Sequence, residues 1–130
     1  TVSEENQPNN IDLAFSSPPY FNLEKYSDEE TQCMVRYRTL DEWFSGYAEP
    51  TIKNIYNSLN KDGIFATNIA DYKTYGKKEY EVVDDWIQIS KRIGFKHVST
   101  IKMMLNTRPG VGNQKLAGRE KWEGVYVFAK

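Results

Sequence analysis

Scarcity bounds the reading first. The 130-residue chain carries one cysteine, Cys33, and one histidine, His97. A lone thiol cannot close an internal disulfide, and neither residue has partners at metal-ligand spacing, so a disulfide scaffold and a zinc module are excluded and a reducing compartment is expected. No apolar run approaches the roughly 18 residues that a membrane-spanning helix needs, and the opening TVSEENQPNN lacks the basic-then-apolar order of a signal peptide. The expectation is a soluble, cytoplasmic chain. Internal repeats and low-complexity tracts are missing too, and the length suits one domain, 1–130, whose 39% hydrophobic content supports a modest core.

An excess of one charge is also lacking, since the net charge is -1. Its distribution is uneven, however. Residues 1–65 hold 5 Lys and Arg against 11 Asp and Glu, net -6, while residues 66–130 hold 12 against 7, net +5. A basic surface in the second half is compatible with a nucleic-acid partner, and equally with cations that merely solvate outer faces.

What is present is an alternation of elements. IDLAFSS (11–17) is a short apolar run ended by proline, the profile of a central parallel strand buried on both faces. From Asp41 to Leu59 a helical period appears in Trp43, Tyr47, Ile52, Ile55, Tyr56 and Leu59, with Pro50 as a kink or restart and Gly63 of NKDG as a left-handed stop. IFATNIA (64–70) reads as a second buried strand. A helix over 79–93 carries Val82, Val83, Trp86, Ile87, Ser90 and Ile93 on one face, with Gly94 as its C-cap. HVSTIKMML (97–105) and EGVYVFA (123–129) read as further strands. The pattern predicts an α/β fold with a mostly parallel sheet, the last two strands forming an antiparallel pair at one side.

The strand at 11–17 stops on Ser17-Pro18-Pro19-Tyr20-Phe21, and in open α/β sheets ligands bind outside the carboxyl ends of the strands. Two prolines fix extended geometry and lack N–H groups, so nearby carbonyls are left available; Ser17 adds a hydroxyl and Tyr20 a flat ring. Such a slot accepts the two hydrogens of a planar group's amine while the ring stacks on Tyr20. An amine on a nucleobase is a poor nucleophile because its lone pair is delocalised. Two acceptors on its hydrogens localise that pair, and orientation supplies much of the acceleration. A base in a duplex would first have to be flipped out, with Tyr20 and Phe21 replacing its stacking.

The strand IDLAFS, the motif SPPY, the helix ending LNKDG and the strand IFATNI resemble the catalytic half of the amino-group DNA methyltransferases, which methylate adenine N6 or cytosine N4. The resemblance covers nearly the whole chain. It implies the C-terminal half of a Rossmann-like, S-adenosylmethionine-dependent methyltransferase fold, DNA as partner, and Ser17, Pro18, Pro19 and Tyr20 as the catalytic motif. Serine in first place is commonest among cytosine-N4 enzymes without being exclusive to them, so both bases stay open. The Gly-rich cofactor turn of that family has no match here: RPGVGN (108–113) lies between two late strands rather than at a strand-to-helix turn. The chain is therefore expected to be a piece of a longer enzyme whose cofactor-binding half is the missing partner.

Further candidates follow from position. Asp71 and Tyr72, at the end of the neighbouring strand, line the same pocket or serve a turn or helix cap. Arg108, Lys115, Arg119 and Lys121 suit phosphate contacts or a solvated loop. The long connection 20–44 is a candidate cover for the flipped base. Other readings are methylation of RNA bases or of a protein amide, and a non-catalytic nucleic-acid or protein-binding domain with a degenerate methyltransferase fold.

Overall fold

A computed structural model describes residues 8–21, 36–73, 78–105 and 122–130. The expectations placed on Cys33, on most of the 20–44 connection, on RPGVGN and on Arg108, Lys115, Arg119 and Lys121 lie outside the described residues.

Four strands form the main sheet: β1 (Ile11–Ser16), β2 (Leu59–Ile69), β5 (Lys96–Met104) and β6 (Trp122–Ala129), in the order β1-β2-β6-β5. β1 and β2 are parallel, with Ala14 opposite Phe65 and Ser16 opposite Thr67. β6 runs antiparallel to both β2 and β5. The parallel sheet expected from the alternation thus holds at one edge only, while the last two strands form the expected antiparallel pair at the other side, with β6 inserted between β2 and β5. In GVYVF, Gly124, Tyr126 and Phe128 alternate onto one buried face, which sets that face of β6 on the core.

The helical period over 41–59 resolves into α1 (Leu40–Trp43), a π-helical turn (Phe44–Ala48) and α2 (Glu49–Ser58). Thr39 caps α1, its Oγ1 accepting the Glu42 N–H at 3.1 Å, while the Glu42 carboxylate accepts the Arg38 N–H at 2.8 Å. Pro50 accounts for the irregular turn. It has no N–H to offer the carbonyl four residues back, and that carbonyl, Gly46 O, accepts the Tyr37 hydroxyl at 3.0 Å. The expected left-handed stop at Gly63 is not found. Leu59 leaves α2 already extended, and the positive φ in this stretch belongs to Asp62, at 65°. The excursion 60–63 instead sits within β2 as an irregularity between the pairs Ile11–Leu59 and Leu13–Ile64.

A small hairpin, β3 (Tyr72–Lys73) with β4 (Glu79–Tyr80), occupies the start of the expected 79–93 helix. The helix proper, α3, spans Val83–Ile93 and ends on Gly94, whose φ of 136° and bonds from its N–H to Lys91 O and Ser90 O are those of a terminating glycine. Acidic Asp84 and Asp85 in its first turn and basic Lys91 and Arg92 in its last complement the helix dipole. Buried Ser90 returns its hydroxyl to Trp86 O at 2.8 Å, which is how a serine survives on the apolar face.

The core lies between the helices and one face of the sheet. Trp43, Phe44, Ala48 and Ile52 meet Val82, Trp86 and Ile89 over Phe65, Ile69, Tyr126 and Phe128. Aromatic contacts run through it, with Trp43 to Trp86 at 6.1 Å and Phe65 to Phe128 at 5.8 Å between ring centroids. Three buried polar atoms, Thr67 Oγ1 and the indole nitrogens of Trp43 and Trp86, have no hydrogen-bond partner among the described residues.

Candidate active site

β1 delivers the SPPY segment to its carboxyl end, beside the carboxyl end of β2. There Ser17 is exposed, Pro18 is buried, and Pro19 and Tyr20 are half-buried. Tyr20 is held on two sides. Its hydroxyl accepts the Ala70 N–H at 3.1 Å, and its ring lies 4.8 Å from that of Tyr72 at an angle of 57°. The hydroxyl thereby ties the β1 tip to the β2 tip, and the prolines supply the stiffness that keeps this geometry.

The rings form a cluster. Tyr72 stacks on Tyr80 at 5.2 Å across the β3–β4 hairpin, and Phe21 meets Tyr80 edge-on at 5.9 Å. Phe21 is 7% exposed and belongs to the core, so of the two adjacent rings in the motif Tyr20 is the one with open surface. Tyr80 carried no signal in the sequence beyond its helical surroundings. The hairpin that brings it here depends on pairing between Tyr72 and Tyr80.

Asp71 acts as a helix cap, the structural role weighed for it above. Its Oδ1 accepts the N–H groups of Val82 at 2.7 Å and Val83 at 3.0 Å, supplying from outside the cap that Val82 lacks. Asp71 also borders a cavity of about 400 Å³ at the end of β2, together with Ala70, Asp84, Trp122, Glu123 and Tyr126. Ala70, which holds the Tyr20 hydroxyl, is shared between the SPPY segment and this cavity. Burial, and then the nearby Asp71 and Asp84 carboxylates, push the Tyr126 phenol above its ordinary pKa of 10.0. Tyr126 fits because Gly124 leaves space: a Cβ there would stand 2.5 Å from the phenol oxygen. Carboxylates and a phenol oxygen accept hydrogen bonds from amines, and the carboxylates repel phosphate.

Cationic side chains appear elsewhere. Arg36 and Arg38, with Tyr37, Glu42 and Ser45, line an open depression of about 470 Å³ at the start of α1. RYR sits in a stretch without period, which gave these arginines no local signal. Among the described residues, no group of His, Cys, Asp and Glu is arranged to hold a metal ion, and no helix is long and apolar enough to cross a membrane.

No protein-family model matches the chain, and no curated protein matches it at a significant level. Solved structures do match in fold, as mixed α/β sheets. They are crystal structures of TTHA0409 from Thermus thermophilus, a candidate DNA modification methylase. Three of them match with TM-scores of 0.64, 0.62 and 0.65 at 17%, 16% and 16% identity, the second being the complex with S-adenosyl-L-methionine. Each match covers 95% of this chain, and the chain spans 48%, 49% and 48% of the respective neighbour chains, about half their length.

Proposed function

We propose that this chain, taken as one unit over 1–130, is the target-base half of an S-adenosylmethionine-dependent DNA methyltransferase that modifies an exocyclic amine, adenine N6 or cytosine N4. In this reading it is the C-terminal half of a Rossmann-like fold. The observation that carries the proposal is the SPPY segment at the carboxyl end of β1, with Ser17 exposed and Tyr20 pinned by Ala70. Shared fold with the Thermus protein supports the reaction class.

The described strand-end segments 17–21 and 70–73 contain no glycine-rich turn for the cofactor, and the acidic side chains of Asp71, Asp84 and Glu123 beside them suit its ammonium and sulfonium rather than its carboxylate. Its cradle is assigned to the other half of the enzyme. This chain's part is to bind and orient the base. Ser17 Oγ and the Pro18 carbonyl accept the two amine hydrogens, drawing the nitrogen toward tetrahedral geometry and localising its lone pair. Tyr20 supplies the stacking face for a base taken out of the duplex. Arg36 and Arg38, and beyond the described residues Arg108, Lys115 and Arg119, are the candidates for backbone phosphates.

The test is methyl transfer from labelled cofactor to DNA by the complete gene product. Pro19→Ala and Tyr20→Ala are expected to abolish transfer while leaving the circular dichroism spectrum in place; wild-type rates from either would refute the assignment. Salt-sensitive DNA binding without any transfer would instead assign a non-catalytic binding domain.

A further inference from the structure

A hydroxyl anchor does not by itself set which way the Tyr20 ring faces. The hydroxyl oxygen lies on the axis that runs from Cβ through the ring, so its bond from the Ala70 N–H at 3.1 Å leaves rotation about that axis open. That rotation is χ2, a broad torsion in tyrosine, and it turns the stacking face while both ends of the side chain stay in place. Fixing the plane takes a lateral contact. Tyr72 makes one, its ring centroid 4.8 Å from that of Tyr20 and the two planes inclined at 57°.

Tyr72 is held in turn. It stands directly opposite Tyr80 in the β3–β4 pair, on the same face of the hairpin, and the two rings stack at 5.2 Å and 17°. Lys78 precedes Tyr80 by two positions and so shares that face, with its Nζ 5.1 Å from the Tyr80 ring centroid. Phe21 meets Tyr80 edge-on at 5.9 Å, which closes the contacts into a circuit. Tyr20 and Phe21 are consecutive in the chain, Tyr72 and Tyr80 are cross-strand partners, and each member of one pair touches a member of the other. A ladder of two paired positions is too short to hold a hairpin by its backbone. The rings therefore hold the hairpin to the motif and the motif to the hairpin.

We infer that Tyr72 is a positioning residue: it sets the plane of the Tyr20 ring, and Tyr80 with Lys78 sets Tyr72. The consequence for the reaction rests on the reading of Tyr20 as the stacking face for an extruded base, whereas the geometry does not. A tilt of that ring turns the base amine away from Ser17 Oγ and the Pro18 carbonyl, so a loosened Tyr72 costs orientation at the reacting nitrogen while the contacts that bind the DNA backbone stay as they are. The loss belongs in kcat and not in KM.

The experiment measures methyl transfer to DNA by the complete gene product, together with the χ2 flip rate of the Tyr20 ring by NMR on protein carrying labelled tyrosine. Tyr72→Ala is expected to lower kcat about tenfold with the KM for DNA unchanged, and Tyr72→Phe, which keeps the ring, to restore most of it. Lys78→Met, at the far end of the row, should lower kcat about twofold. Gly94→Ala weakens the fold at the other end of α3 from the rings and is the control, with wild-type kcat well below its melting temperature. The Tyr20 flip rate should rise about fivefold in Tyr80→Ala, a change relayed through Tyr72. A Tyr72→Phe variant as slow as Tyr72→Ala, a kcat loss matched by Gly94→Ala, or an unchanged kcat in Tyr72→Ala would each overturn the inference. A wild type that transfers no methyl group removes the reaction reading, and the flip rate then decides the positioning alone: faster flips in Tyr80→Ala support it, and unchanged flips overturn it.

Discussion

Replacing Tyr20 by phenylalanine separates what its hydroxyl does from what its ring does. The hydroxyl accepts the Ala70 N–H at 3.1 Å in a part-buried setting, while the ring packs at 4.8 Å against Tyr72. Phenylalanine keeps the ring and strips a partner from the Ala70 N–H. Removing one side of a buried hydrogen bond costs about 1–3 kcal/mol, and partial access of water here places the expected loss near the lower end, about 1 kcal/mol. With an m-value of about 2 kcal/mol/M for a domain of this size, the urea midpoint should fall by about 0.5 M at unchanged slope. Amide exchange at Ala70 should quicken by about fivefold, the same free energy read locally. Tyr20→Ala loses the ring as well and should cost about 2–3 kcal/mol, less than the roughly 3–5 kcal/mol of a fully buried aromatic because Tyr20 is only half-buried. In methyl transfer the order should differ in kind: the phenylalanine variant keeps most activity and the alanine variant loses it. An unchanged midpoint together with unchanged Ala70 exchange would refute the claim that the hydroxyl ties the two strand tips.

Other consequences are as direct. Thr67 is fully buried and its hydroxyl has no partner among the described residues, so Thr67→Val should raise stability by about 1 kcal/mol in urea titration. Gly94→Ala should lower it by about 1–3 kcal/mol, because alanine is strained at a φ of 136° and its Cβ would meet the Tyr56 ring at 2.9 Å. The raised pKa of Tyr126 has a definite sign. The folded state keeps the phenol neutral, so this contribution is fully present below pH 10.0, the unfolded value, and is lost as pH rises through the folded pKa. Stability of the wild type minus that of Tyr126→Phe should therefore be flat below that pH and change above it; a flat difference throughout would contradict the burial of the phenol.

Local signals carried much of this architecture. Gly94 ended α3, and Trp43 and Trp86 proved core; the apolar run before Ser17 became β1, but as an edge strand with Leu13 and Phe15 exposed rather than the central strand buried on both faces that its composition suggests. Each depends on neighbours within a turn or on a strong period. What was not legible depends on distant pairing. The insertion of β6 between β2 and β5 is decided by which edges are free once the sheet forms, a fact that no local window contains. The left-handed residue fell on Asp62 rather than Gly63 because the chain re-enters the sheet at Leu59 before turning. Within the candidate site, the motif was visible as consecutive prolines and Tyr72 by its place at the neighbouring strand end, whereas the rest of the support was hidden. Ala70 and Tyr80 reach it only through the meeting of β1, β2 and the small hairpin.

The most direct measurement is the identity of the product base. DNA treated with the complete gene product and S-adenosylmethionine would be hydrolysed to nucleosides and analysed by mass spectrometry, for the wild type and for Ser17→Ala. The expected result is N6-methyladenine or N4-methylcytosine, with the variant slowed about a hundredfold, the scale for losing one hydrogen bond to the reacting group. Methylation at cytosine C5, or amine methylation undiminished by Ser17→Ala, would contradict a base amine held at the tip of β1.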